Sequence, residues 1–440
     1  MTKPIILNAF EMSCVTHQAP GLWRHPDNRA DEYHRLDYWI DLAKLLERGG
    51  FDAVFLADVL GVYDVYRDSV APALRDAAQV PVGDPLLQIP AMAAVTERLG
   101  FGVTVATTYA QPYALARTLT TLDHFTGGRI GWNVVTSYLA SAARNLGLGD
   151  QIAHDDRYGI ADEFLDVVYK LWEGSWEDGA VLRDRDTGVF TDPEKVHPID
   201  HRGEHFDVPG IHLGEPSPQR TPVIFQAGAS PRGQEFAARH GEAIFINGLA
   251  PELTRRTTDG IRDKARAAGR DGDDVKILTH ATVIVAETDE LARAKRDDFR
   301  RYVSLEGSLA LYGGWSGIDL AALDPDEPLR YVDTDAARSA LSIFTKADPT
   351  REWTPRDIAE YVGIGGIGAV IVGTLAVLFA NGVSRVSKIR IDTAMAVSLT
   401  VFFGGGMLLM RIIANGAFPG KGGIQAYLFG NASVITIADR

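Results

Sequence analysis

The chain has almost no cysteine: Cys14 is the only one in 440 residues. One thiol cannot form an internal disulfide, and it leaves no cysteine set for a structural zinc site. That usage suits a reducing compartment, and a cytoplasmic protein is expected. Positive charge is also short, since 44 Lys and Arg stand against 58 Asp and Glu for a net charge of −14. Binding to nucleic-acid phosphates needs clustered cations, so no nucleic-acid partner is expected. The N-terminal stretch has no basic segment leading into an apolar core, so no secretory leader is expected. There is no Gly-x-x-x-x-Gly-Lys loop, no Gly-x-Ser-x-Gly elbow and no carboxylate cluster that would hold a metal.

What the chain does have is alternation. Apolar, β-branched runs at 5–10, 53–57, 101–107, 130–135, 223–226, 243–246 and 277–285 predict strands. Helical patterns separate them at 38–49, 90–99, 115–125 and 158–172, with a polar insertion rich in His, Asp and Pro before residue 221. Strand and helix in turn are the signature of βαβ units and a parallel sheet. The pattern points to a (β/α)8 barrel one strand short. A doubly wound open sheet is the alternative, but the turn after the first strand reads MSCVTHQ and not Gly-x-Gly-x-x-Gly.

The stretch Pro222 to Ala243 is the most informative. A buried strand runs through Gly228-Ala229-Ser230 into a helix with Ser230 as N-cap and Pro231 in its first position. Such a tip gathers backbone N–H groups and the positive end of a helix dipole, which suits a phosphate. An ordinary βα turn is the alternative reading of the same residues. The other strand ends carry Cys14 and His17, Asp58 and Tyr63, Thr104 and Thr107, and Thr136 and Ser137. These side chains are compact and mostly uncharged, as suits a bound organic cofactor that performs the chemistry itself.

The segments WRHPDN (23–28), FDAVFLAD (51–58), AAVTERLGFGVTVATTY (93–109), LDHFTGGRIGWNVVTS (122–137), HDDRYGIADEF (154–164) and QAGASPRGQEFAARHGEAIF (226–245) carry a family resemblance. The chain resembles the nitrilotriacetate and dibenzothiophene-sulfone monooxygenases, FMN-dependent enzymes of the bacterial-luciferase-like type, over about residues 5–372. The resemblance implies a luciferase-like TIM barrel with insertions, as a homodimer or homotetramer. It implies reduced FMN (FMNH2) supplied by a separate NAD(P)H:flavin reductase, and O2 used to oxygenate a chelating amine, sulfone or sulfide. Asp58, Thr104, His154, Tyr158 and Ser230 match the family's FMN positions, with Ser137 and Ala229 as further cofactor-binding candidates. Cys14, His17, Tyr63 and Gln79 match positions lining the active site in the long-chain alkane branch. That branch carries a histidine where this chain has Tyr138, which speaks against an alkane substrate. The resemblance assigns no metal. A non-catalytic flavin-binding barrel and an inactive fusion product are the alternatives.

The family pattern ends near Gly365 to Thr374. Gly363 to Ala380 and Thr393 to Met410 are then free of charge, around a bridge with Arg385, Lys388 and Arg390. Such runs are borderline membrane spans. Residues 373–440 resemble a fragment of a metal-ion ABC transporter permease, too short to be one. The expectation is a barrel over 1–372 without its own eighth strand. A foreign apolar tail over 373–440 follows, and it meets a membrane only if it inserts.

Overall fold

A computed structural model of the chain describes residues 5–228, 230–246, 251–280, 282–329, 344 and 351–364. Ala229 and the two uncharged runs, apart from Gly363 and Ile364, therefore lie outside the described residues.

The strands are β1 (Asn8–Met12), β2 (Ala53–Ala57), β3 (Gly100–Ala106), β4 (Ile130–Val135), β5 (Val181–Asp184), β6 (Val189–Thr191), β7 (His201–Arg202), β8 (Asp207–Val208), β9 (Val223–Gln226), β10 (Ala243–Ile246) and β11 (Lys276–Thr279). The helices are α1 (Leu36–Gly49), α2 (Ala71–Arg75), α3 (Ile89–Ala93), α4 (Pro112–Thr126), α5 (Ala140–Asn145), α6 (His154–Tyr169), α7 (Pro231–His240), α8 (Pro251–Ala267), α9 (Asp289–Arg300), α10 (Leu305–Ser316) and α11 (Pro355–Ile364).

Seven strands form one parallel sheet in the order β1-β2-β3-β4-β9-β10-β11. This is the α/β wall of a TIM-type barrel. Among the described residues no eighth strand bonds the free edge of β1 or of β11. Each expected strand is present, but β1 lies further along the chain than 5–10 and β11 ends well before 285. The insertion holds two short antiparallel hairpins that the sequence reading left undivided. No helix among the described residues is long and apolar enough to cross a membrane.

Two corrections have local causes. The helix expected over 90–99 stops at Ala93. Thr96 turns its hydroxyl back onto the Met92 carbonyl, and Arg129 reaches in to take the carbonyls of Ala93 and Leu99. A guanidinium that reads loose carbonyls competes with further helical turns. The helix expected over 158–172 starts earlier, at His154, and continues through a π turn, Lys170–Gly174.

Side-chain parity fixes two layers. Val54, Leu56, Phe101, Val103, Trp132, Val134 and Ile224 point outward and pack against α1, α3, α4 and α6. Phe55, Phe225, Ala243 and Leu278 point inward, with Phe10 and Phe245 beside them. Glycines make room for these rings: a Cβ on Gly131 would meet the Phe225 ring at 2.6 Å, and one on Gly102 the Phe55 ring at 2.9 Å.

Candidate active site

All seven strands are parallel, so their C-terminal ends share one rim. Asp58 follows β2, Ser137 follows β4 and Ser230 follows β9, which places them on that rim. Thr104 sits inside β3 near the same end.

The tip of α7 forms as the sequence suggests. Ser230 is its N-cap with extended backbone (φ −68°, ψ 157°), and its hydroxyl accepts from the Gly233 N–H at 3.0 Å. Tyr158, one turn into α6, brings its hydroxyl to the same place, beside the polar groups of Ser230 and Gln226. The fit is close, because a Cβ on Gly233 would lie 2.6 Å from the Tyr158 hydroxyl and 3.1 Å from Ser230 Oγ. Gly228 is equally confined, with Gly233 Cα 2.8 Å from where its Cβ would stand. Burial, the main cause, raises the Tyr158 phenol, while the donors around it work the other way. His154 is half-exposed, with Nδ1 2.7 Å from the Asp155 carboxylate, and it meets Tyr158 only through a ring edge at 5.2 Å.

Sequence reasoning missed what supports this tip. Arg232 lies over the Tyr158 ring at 5.6 Å and pairs with Asp162. Arg239 and His240 reach the same carboxylate at 2.7 and 3.2 Å. Burial would raise Asp162, but these partners hold it below its ordinary value. One carboxylate on α6 thus ties down both ends of α7. The sequence pattern alone does not connect Arg232 and Arg239 to this carboxylate, because it lies about 70 residues earlier in the chain.

The expected substrate-side residues form a second group. Tyr63 is fully buried and donates to Gln79 Oε1 at 2.6 Å, and the hydroxyls of Tyr63 and Tyr138 lie 2.6 Å apart. Gln79 Nε2 donates to the His17 carbonyl. The Trp315 indole stands beside both tyrosine hydroxyls. The loops after β1, β2 and β4 are therefore laced together. Ser137 helps by turning the chain in the left-handed region at φ 60°. The His17 ring packs edge-on to Phe10 at 4.4 Å, and His280, just past β11, does so at 5.5 Å. Burial, with His280 adding, drives His17 down to about 3, so its imidazole is neutral. Burial lowers His280 as well.

Two acids stand out nearby. Burial, reinforced by Asp84, raises Asp58 to about 7, and burial alone raises Glu11 to about 7. Cys14 is buried, and desolvation, reinforced by Glu11, pushes its thiol up to about 12. It is a small apolar wall group and not a thiolate nucleophile. Among the described residues no group of three or more His, Cys, Asp and Glu could hold a metal.

Several buried polar atoms at this end have no protein partner, among them Asn133 Oδ1 and Gln226 Oε1. Unmet buried acceptors, a glycine cradle at a helix tip and an aromatic interior together match a phosphorylated, planar cofactor.

The luciferase-like monooxygenase family model matches residues 10–347, and the ABC 3 transport family model matches residues 363–439. A dimethyl-sulfide monooxygenase of Hyphomicrobium sulfonivorans is 57% identical over 373 residues, covering 85% of this chain and 78% of that one. A long-chain alkane monooxygenase of Geobacillus thermodenitrificans is 50% identical, covering 84% of this chain and 86% of its own. The crystal structure of DmoA from Hyphomicrobium sulfonivorans superposes with a TM-score of 0.79 at 55% identity, covering 87% of this chain and 82% of that chain.

Proposed function

We propose that this chain, which belongs to the luciferase-like monooxygenase family, is the oxygenase of a two-component system working on reduced FMN. A separate NAD(P)H:flavin reductase supplies the flavin, and one atom of O2 enters a small organic substrate. The observation that carries the reading is the meeting of Tyr158, Ser230, Gly228 and Gly233 at the α7 tip, on the same rim as Asp58.

Ser230 and Tyr158 hold the phosphate, helped by α7 backbone N–H groups; Ala229, the further cofactor candidate, lies outside the described residues. Asp58, Thr104 and Ser137 border the ribityl and ring portions, and His154 closes the outer side. Bound reduced flavin supplies the electrons that activate O2. The protein's part is to bind, orient and keep water out. His17, Tyr63, Gln79 and Cys14 line the substrate side as neutral groups. His17 accepts a hydrogen bond at neutral pH and donates no imidazolium proton, because burial holds it near 3.

Of the three substrate classes, a small sulfide is favoured. The interior is a wall of Phe10, Phe55, Phe225 and Phe245, and its imidazoles offer no positive charge to the carboxylates of a chelating amine. The similarity to a dimethyl-sulfide monooxygenase supports the same class. We place the protein in the cytoplasm beside its reductase, as a homodimer or homotetramer. Residues 373–440 are read as a foreign segment joined to a barrel over 1–372.

The test is anaerobic FMNH2 titration, followed by turnover with NADH, a flavin reductase and 18O2 on dimethyl sulfide, a sulfone and a chelating amine. Labelled product from the sulfide is expected. Ser230→Ala and Tyr158→Phe each weaken FMNH2 binding by about tenfold, the worth of one charge-assisted hydrogen bond. Flavin binding without turnover on any substrate identifies a non-catalytic barrel, and no flavin binding overturns the reading.

A further inference from the structure

Phenylalanine rings dominate the inward face of the described strands, and one buried polar pair interrupts them. Asn133 on β4 stands opposite Thr104 on β3 in the strand register. Both side chains are buried, and both share parity with Gly131 and Gly102, whose missing Cβ atoms would meet Phe225 and Phe55. They therefore face the interior, one step nearer the rim than those rings. Asn133 Nδ2 donates to Thr104 Oγ1 at 2.9 Å. That bond fixes the polarity of the pair. The amide nitrogen is committed, and the threonine oxygen is used as an acceptor, so the threonine hydrogen is left to donate. The amide oxygen, Asn133 Oδ1, has no protein partner. The wall thus presents one free acceptor and one free donor side by side.

We propose that Asn133 is a cofactor-binding residue that, with Thr104, reads the imide edge of the flavin's pyrimidine ring. That edge runs C=O, N–H, C=O. Its N–H suits the Asn133 carbonyl oxygen, and a flanking carbonyl suits the Thr104 hydroxyl. A phosphate has no N–H to give, and a ribityl hydroxyl carries both roles on one freely turning atom; the imide holds them on adjacent atoms of one rigid edge, as do N5–H and its neighbouring carbonyl in the reduced ring, an edge that methylation at N3 leaves intact. The inference rests on the flavin reading above and adds a residue and an orientation to it: ring edge down against β3 and β4, phosphate at the α7 tip.

The experiment needs no variant to begin. Reduced FMN and its 3-methyl derivative, in which the imide hydrogen is replaced, are titrated anaerobically into the full chain, and binding is followed by flavin absorbance. The expected result is binding of 3-methyl FMN weaker by about tenfold, since one buried hydrogen bond is lost and the amide oxygen stays unpaired. Asn133→Leu removes the acceptor, so the two flavins bind it alike. Asn133→Asp keeps an acceptor oxygen and keeps the discrimination, which a role confined to packing does not predict. Thr104→Val weakens both flavins equally. Equal binding of the two flavins by the wild-type chain overturns the inference and leaves the flavin reading standing. Binding of neither overturns both.

Discussion

Replacing Tyr63 by Phe removes one oxygen from the centre of a hydrogen-bonded chain whose direction the structure fixes. At one end the His17 carbonyl only accepts, so Gln79 Nε2 is the donor there and Gln79 Oε1 must accept from Tyr63. Tyr63 has then spent its hydrogen, so Tyr138 donates to it. The Trp315 indole beside the two hydroxyls offers only an N–H donor. The carbonyl end cannot reverse, so the chain is a tie between loops and not a proton wire. Tyr63→Phe strands a buried acceptor on Gln79 and a donor on Tyr138. Tyr138 is partly exposed, so water takes its hydroxyl, and the buried Gln79 oxygen sets the loss at roughly 1–3 kcal/mol. Tyr138→Phe leaves only a spare lone pair on Tyr63 and costs about 1 kcal/mol, a typical net hydrogen bond. The double variant costs little more than Tyr63→Phe alone, because the two share one interaction. Urea unfolding of the full chain, followed by tryptophan fluorescence, reads all three. A Tyr138→Phe loss equal to or above that of Tyr63→Phe refutes the assigned direction, and additive losses refute the coupling.

Gly314→Ala puts a Cβ 2.0 Å from the Tyr63 ring, and a ring held by its hydroxyl cannot swing away. Overpacking of this kind costs about 1–3 kcal/mol in the same assay, and a neutral result means the ring moves after all. Glu11 gives a pH signature. Its folded value of about 7 lies above its ordinary 4.5, so the folded state keeps the proton longer than the unfolded one. Its stabilising contribution is complete below 4.5, fades as pH rises to about 7 and is flat above. Glu11→Gln therefore gains on the wild type between pH 5 and 8, by at most about 3 kcal/mol, and a pH-independent difference contradicts it. Cys14, with its thiol pushed to about 12, resists alkylation at pH 8 in the folded chain and reacts once the chain is unfolded, which a thiol titration with and without urea checks.

The parts legible in the sequence are those set by local chemistry. Strand and helix alternation, the Ser230 cap and the Pro231 start each follow from residues within a few positions of one another. Tyr158 meeting Ser230 was reached through a family resemblance, and the distance between them in the chain hid it from periodicity. What stayed hidden is non-local or lies between elements. Asn133 looks like a polar interruption of a strand until β3 places Thr104 opposite it. Trp315 and Arg232 find their partners only when the helices dock. The hairpins of the insertion are two to four residues per strand, too short for a period-two signal to rise above chance.

Gly131 and Phe225 also carry a consequence for how relatives of this chain drift. The glycine leaves the volume that the benzyl group of its neighbour fills, so the two positions are expected to change as a pair. A homologue that has acquired a methyl or more at the first must have trimmed the second, in either order through a less stable ancestor, and an alignment should show the larger residue switching sides of the pair.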